Sequence, residues 1–159
     1  MRKTFTKTLV EEAKKDKEIF LIEDNPDDEL LTIRALKKNN LLNRIVVAHD
    51  GEEALSMIYE NPKDKNSRPI FYPSLILLDI KLPKVDGLQV LEILRNNPHT
   101  CLFPVVLLTS SKEDRDLLKG YTLGCNSYVR KPVNFEEFMG AIQQLGLYWL
   151  LLNEALPQV

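Results

Sequence analysis

The chain has little from which to build a covalent or zinc-clamped scaffold: it holds two cysteines and two histidines among 159 residues. Cys101 and Cys125 form no CxxC or Cys/His ligand spacing, which leaves free thiols in a reducing compartment rather than a disulfide or a zinc site. His49 and His99 are isolated and are expected on surface loops. Charge of one sign is also lacking. With 21 basic against 23 acidic residues the formal net charge is -2, which offers no electrostatic footprint for nucleic acid. Long apolar runs are absent as well. Leu147 to Leu152 is far short of a membrane span, and the first residues carry Lys and Thr instead of the apolar segment of a signal peptide. A cytoplasmic protein with no membrane or nucleic-acid partner is expected, and no internal repeat is visible.

What is present is a rhythm. Short apolar runs alternate with stretches of helical periodicity five times, which predicts an α/β fold: a doubly wound, five-stranded parallel sheet flanked by five helices. The first helix is expected to start near Pro26-Asp27-Asp28, where proline and acids suit a first turn, and to carry Leu30, Leu31, Ile33, Ala35 and Leu36 toward Asn39-Asn40. Ile45 to Ala48 make the second strand. Asp50 should cap a helix that turns Ala54, Leu55 and Ile58 inward and stops before Asn61-Pro62. Pro62 to Ser67 read as a solvated loop. The third helix, about Gly87 to Asn97, should bury Leu88, Leu91 and Leu94. The fourth, about Glu113 to Leu123, sets Leu117, Leu118, Tyr121 and Leu123 among charges. In the last, Phe138, Ile142, Leu145 and Trp149 recur at helical spacing and should pack on the sheet.

The polar residues that end the apolar runs carry the chemistry. Glu23 and Asp24 follow Ile19-Phe20-Leu21-Ile22, and Asp79 follows Leu75-Ile76-Leu77-Leu78. In open parallel sheets ligands bind at the edge where strands end. Three carboxylates converging there repel one another and raise one another's pKa unless a cation intervenes, and an oxygen-only cluster suits Mg²⁺. Thr109 ends Val105-Val106-Leu107-Leu108, and Lys131 follows Tyr128-Val129-Arg130. A hydroxyl and an ammonium can hold phosphoryl oxygens that the metal leaves free. The set reads as phosphoryl transfer onto Asp79. Singly, each residue reads as a strand-end polar group or a loop lysine; the ordered co-occurrence defeats that reading.

At IEDN (22 to 25), LLDIKLPKVDG (77 to 87), LLTSS (107 to 111) and YVRKP (128 to 132) the chain resembles the response-regulator receiver domain of two-component signalling, over roughly residues 18 to 145. That resemblance implies the flavodoxin-like receiver fold and a role for each residue. Asp79 would be the phosphoacceptor, Asp24 the main direct Mg²⁺ ligand, and Glu23 a ligand acting through water. Lys81 would lend its backbone carbonyl to the ion. Thr109 and Lys131 would each hold a phosphoryl oxygen, Thr109 and Tyr128 would form a switch, and the Lys131-Pro132 bond would be cis. The chain is not expected to be an enzyme beyond promoting its own Mg²⁺-dependent phosphorylation and dephosphorylation.

GLYWLLLNEALP, after YVRKPVNFEEF, resembles the stand-alone receivers that partner phytochrome-type histidine kinases. That resemblance implies a homodimer through the last helix and last strand; the run Leu147 to Leu152 is itself apolar on every face and needs a cover, for which a second copy comes first, ahead of a kinase surface or an internal cover. The expected organisation is an N-terminal extension over 1–17, a receiver domain over 18–153 and a tail over 154–159, with no output domain. Leu9, Val10 and Ala13 of the extension could form a weak amphipathic helix. Two other readings differ in chemistry. An aspartyl-phosphate hydrolase usually carries a second Asp two residues after its nucleophile, where this chain has Lys81. A phosphorylation-independent binding module would normally have lost one of the five site residues, and none is missing.

Overall fold

The computed structural model describes residues 17–38 and 43–154. The expectations for Leu9, Val10 and Ala13, for a first helix reaching Asn39-Asn40, and for the tail beyond Glu154 lie outside the described residues. Five parallel strands form one sheet: β1 (Ile19–Ile22), β2 (Ile45–Ala48), β3 (Leu75–Leu78), β4 (Val105–Thr109) and β5 (Ser127–Arg130), in the order β2-β1-β3-β4-β5. Five helices connect or follow them: α1 (Pro26–Lys37), α2 (Gly51–Ile58), α3 (Gly87–Asn96), α4 (Asp114–Leu123) and α5 (Phe135–Leu147). The last runs on into a π-helical turn, Tyr148–Leu152.

β1, β3 and β4 are continuous apolar runs because helices cover both sheet faces. Successive side chains still divide between the faces. Phe20, Ile22, Ile76, Leu78, Val105 and Leu107 join the core under α2, α3 and Tyr128, whereas Ile19, Leu21, Leu75, Leu77, Val106 and Leu108 join Phe138, Ile142 and Leu150 on the other side. Ala54, Leu55, Ile58, Leu88, Leu91 and Leu94 are buried as expected, and Leu145 and Trp149 pack against the second core.

Polar residues fix where the helices begin. The Asn25 side chain accepts from the backbone N–H of Asp27 and Asp28, and Asp50 accepts from that of Glu53. Asp86 and Gln89 make a reciprocal capping box, and Asn134 starts α5. Each satisfies N–H groups that a first turn otherwise leaves without partners. α4 departs from this pattern. No side chain of Glu113 caps it, Leu118 and Tyr121 are exposed, and its one buried residue is Gly120.

Register sets the site. Ile22 lies opposite Leu78, and Leu78 opposite Leu107, so β1, β3 and β4 end side by side. The first residues past those ends, Glu23 and Asp79, therefore emerge together. A methyl group on Gly87 would fall 2.0 Å from the Asp79 carbonyl oxygen, so only glycine lets α3 begin directly against that backbone. The Lys131-Pro132 bond differs from expectation: no cis peptide is present among the described residues. With the Lys131 N–H donating to the Thr109 carbonyl at 2.7 Å, the backbone delivers this side chain to the pocket in the trans form, the cheaper one for X-Pro.

Candidate functional site

The C-terminal edge of the sheet holds one ammonium among carboxylates. Lys131 Nζ donates to Glu23 Oε2 at 2.7 Å, to Asp28 Oδ2 at 2.8 Å and to Asp79 Oδ2 at 2.9 Å. Its three N–H donors are thereby all used. The Lys131 side chain is 8% exposed, as is that of Asp79, and Glu23 is 2% exposed. Water therefore does little to screen these charges, and the contacts are strong ones. The other Asp79 oxygen, Oδ1, accepts from the backbone N–H of Lys81 at 3.2 Å, while the Lys81 side chain points outward and is exposed.

Asp24 stands at the open rim of this pocket. One carboxylate oxygen from each of Glu23, Asp24 and Asp79 lies within 4.8 Å of the others. Opposite ligands of an octahedral Mg²⁺ are about 4.2 Å apart, so the trio can close on one such ion with little movement. Burial pushes the Glu23 carboxyl up from 4.5 to about 7, with the charge of Asp79 acting in the same direction and Lys131 opposing. The same carboxylates hold the Lys131 ammonium above its ordinary value, against the effect of its burial. Negative charge exceeds positive here even with Lys131 in place. The residues fit a divalent cation, the oxygen-only donor set favouring a hard one.

Thr109 ends β4 fully buried, and its hydroxyl accepts from the backbone N–H of Ser111 at 3.1 Å. Ser111 Oγ in turn donates to Asp116 Oδ2 at 2.6 Å in the first turn of α4. Tyr128 on β5 stacks on Tyr121 with ring centroids 6.5 Å apart and lies against Gly120. Its hydroxyl is enclosed without a hydrogen bond of ordinary geometry, and burial, with Asp116 nearby, pushes that phenol up.

Sequence reasoning missed Asp28 and the Ser111–Asp116 contact. Acids in a helix's first turn are expected on electrostatic grounds alone, so Asp28 gave no separate signal. His49 is exposed as expected, but it is not unpartnered: Nε2 lies 3.0 Å from Glu29 Oε2.

A parallel α/β sheet whose strand ends gather an acid pair, a lone aspartate and a lysine is suited to taking a phosphoryl group onto that aspartate. The model of the response regulator receiver domain matches residues 19–143, and the chain belongs to that family. Response regulator Rcp1 of Synechocystis sp. is 33% identical over 142 residues, 89% of this chain and 95% of its own. A solved Mn²⁺-bound form of Rcp1 matches with a TM-score of 0.79 at 32% identity, over 89% and 99% of the two chains. The phosphorylated cyanobacterial phytochrome response regulator RcpA matches at 0.79 and 32% identity, over 87% of this chain and 97% of that one. The bacteriophytochrome response regulator AtBRR is 48% identical with a TM-score of 0.63, over 87% and 98%. Family membership implies a histidine kinase as partner. Among the described residues no helix is long and apolar enough to cross a membrane.

Proposed function

We propose that Asp79 accepts a phosphoryl group from a histidine kinase of phytochrome type, and that the phosphorylated protein signals by binding partners. An Asp79 carboxylate oxygen attacks phosphorus, the new O–P bond forms as the P–N bond of the phosphoimidazole breaks, and the electron pair stays on the imidazole nitrogen. With acetyl phosphate as donor the leaving group is acetate. The observation that carries this reading is the Lys131 ammonium 2.9 Å from Asp79 Oδ2 beside a carboxylate trio. Lys131 is placed to pair with a phosphoryl oxygen as charge builds on the transferring group.

Glu23, Asp24 and Asp79, with the Lys81 carbonyl assigned by family resemblance, would hold Mg²⁺, which neutralises these acids and polarises the phosphoryl oxygens. The Mn²⁺-bound form of Rcp1 supports that choice. Thr109 turns its hydroxyl from Ser111 toward a phosphoryl oxygen, and Tyr128 follows into the space left. A Tyr128→Ala protein that is phosphorylated and signals normally would sink this switch.

The working unit is residues 18–153, with 1–17 an extension and 154–159 a tail, and it acts in the cytoplasm. Leu147, Tyr148, Leu151 and Leu152 are exposed together at the end of α5, and this surface supports a homodimer through the last helix and last strand. The phytochrome titles of RcpA and AtBRR support the kinase type.

The deciding experiment is intact-mass spectrometry after incubation with acetyl phosphate and Mg²⁺. The native chain should gain one phosphoryl group, about 80 Da, and Asp79→Asn or omission of Mg²⁺ should abolish the gain. No gain, where a control receiver is modified, would leave a binding module on the receiver fold.

A further inference from the structure

Of the three carboxylates on Lys131, Asp28 alone lies outside the trio whose oxygens gather for a cation. The other two have competing duties. Glu23 belongs to the cation set, and the Asp79 oxygen facing Lys131 gives way to the phosphoryl group. Asp28 has no such rival claim. It is also held rigidly: its backbone N–H donates to Asn25 Oδ1 at 3.1 Å, its carbonyl accepts from Thr32 Oγ1 at 2.7 Å, and the Asn25 N–H donates to Glu23 Oε1 at 3.1 Å. The first turn of α1 is thus an arc fixed around the Lys131 ammonium.

We infer that Asp28 is a positioning residue that keeps the Lys131 ammonium aimed at Asp79 once the cation has drawn Glu23 away. The inference rests on Asp79 being the phosphoacceptor. A lysine carries its charge on a flexible stem, and an ammonium held from one side only samples orientations that miss a phosphoryl oxygen. A second anchor on a capped helix turn removes that freedom. Asp28 touches neither the cation set nor the reacting atoms and acts through Lys131.

Two readouts test this with the full chain in saturating Mg²⁺. The first is the NMR signal of the Lys131 ammonium, which is slow to exchange with water only while its donors are engaged. Asp28→Asn should lose that signal and Asp28→Glu should retain it. The second is the initial rate of phosphorylation by acetyl phosphate, followed by intact mass. Asp28→Asn should be about tenfold slower with Mg²⁺ affinity, measured by calorimetry, within about threefold of native, and Asp28→Glu should recover most of the rate. An unchanged Lys131 signal in Asp28→Asn overturns the inference. So does a fall in Mg²⁺ affinity as large as the fall in rate, which would place Asp28 in the cation's own shell. If the native chain gains no phosphoryl mass, the functional reading fails, and the ammonium signal alone decides the role of Asp28.

Discussion

Asp79 is at once the centre of the proposed chemistry and a source of strain in the metal-free protein. It shares one ammonium with Glu23 and Asp28, has Asp24 close by, and helps to push the Glu23 carboxyl up to about 7. Removing one negative charge should relieve this repulsion. Asp79→Asn is expected to be more stable than native by about 1 kcal/mol in EDTA, measured by urea denaturation, and to gain less than native from added Mg²⁺. Glu23 also sets a pH dependence. Its folded pKa lies above its unfolded one, so its contribution is fully present below about 4.5 and is lost as pH rises through about 7. Lys131, raised above 10.5, adds no slope across that window. Stability in EDTA should therefore fall from pH 4.5 to 7, less steeply in Asp79→Asn. At this scale the sequence was informative where a polar residue ended an apolar run, as at Glu23, Asp24, Asp79 and Thr109. It was mute on Asp28, whose place in a first turn has a sufficient local cause, and the expected cis bond before Pro132 was an inheritance from resemblance that this backbone does not adopt.

Elements position these residues through a few tight junctions, and α3 makes the one against Asp79 itself. Gly87 N–H donates to the Ile80 carbonyl at 2.8 Å while the α-carbon leaves no room for a methyl group against Asp79. Gly87→Ala should cost more than about 3 kcal/mol, since backbone and not a flexible side chain must yield. It should also slow acetyl phosphate-driven phosphorylation at temperatures where the variant stays folded. α4 is the opposite case. It lacks a side-chain cap, buries Gly120 alone, and is tied at its start by Ser111 to Asp116. Its amides should exchange with solvent at least about tenfold faster than those of α3 in hydrogen-exchange measurements. The apolar spacing of α2 and α3 was legible because it matched their buried faces. Leu118 and Tyr121, which the sequence set among charges without assigning them a face, are exposed, since a short amphipathic pattern does not say whether a partner within the chain covers it.

Across the whole molecule, stability draws on the strands themselves and chemistry on the residues just past their ends. The pocket uses the first residues beyond β1, β3 and β5, whereas the second core runs from Ile19 and Leu75 to Phe138, Ile142 and Leu150 on the far face. Leu150 is 1% exposed within a π-helical turn whose carbonyl at that residue accepts from Lys17 Nζ at 3.1 Å. The sequence announced the turn only as a run apolar on every side, and which member faced inward depended on the extra residue that a π turn inserts. Leu150→Ala should lower stability by about 2–5 kcal/mol through lost burial and a cavity, read from urea denaturation. The same variant should bind Mg²⁺ and take up phosphoryl groups at native rates well below its melting temperature, because the three carboxylates that hold Lys131 come from α1 and from the ends of β1 and β3, not from the π turn. A joint loss of stability and phosphorylation rate would mean that the far core sets the strand-end geometry, and the separation of scaffold from site would not hold.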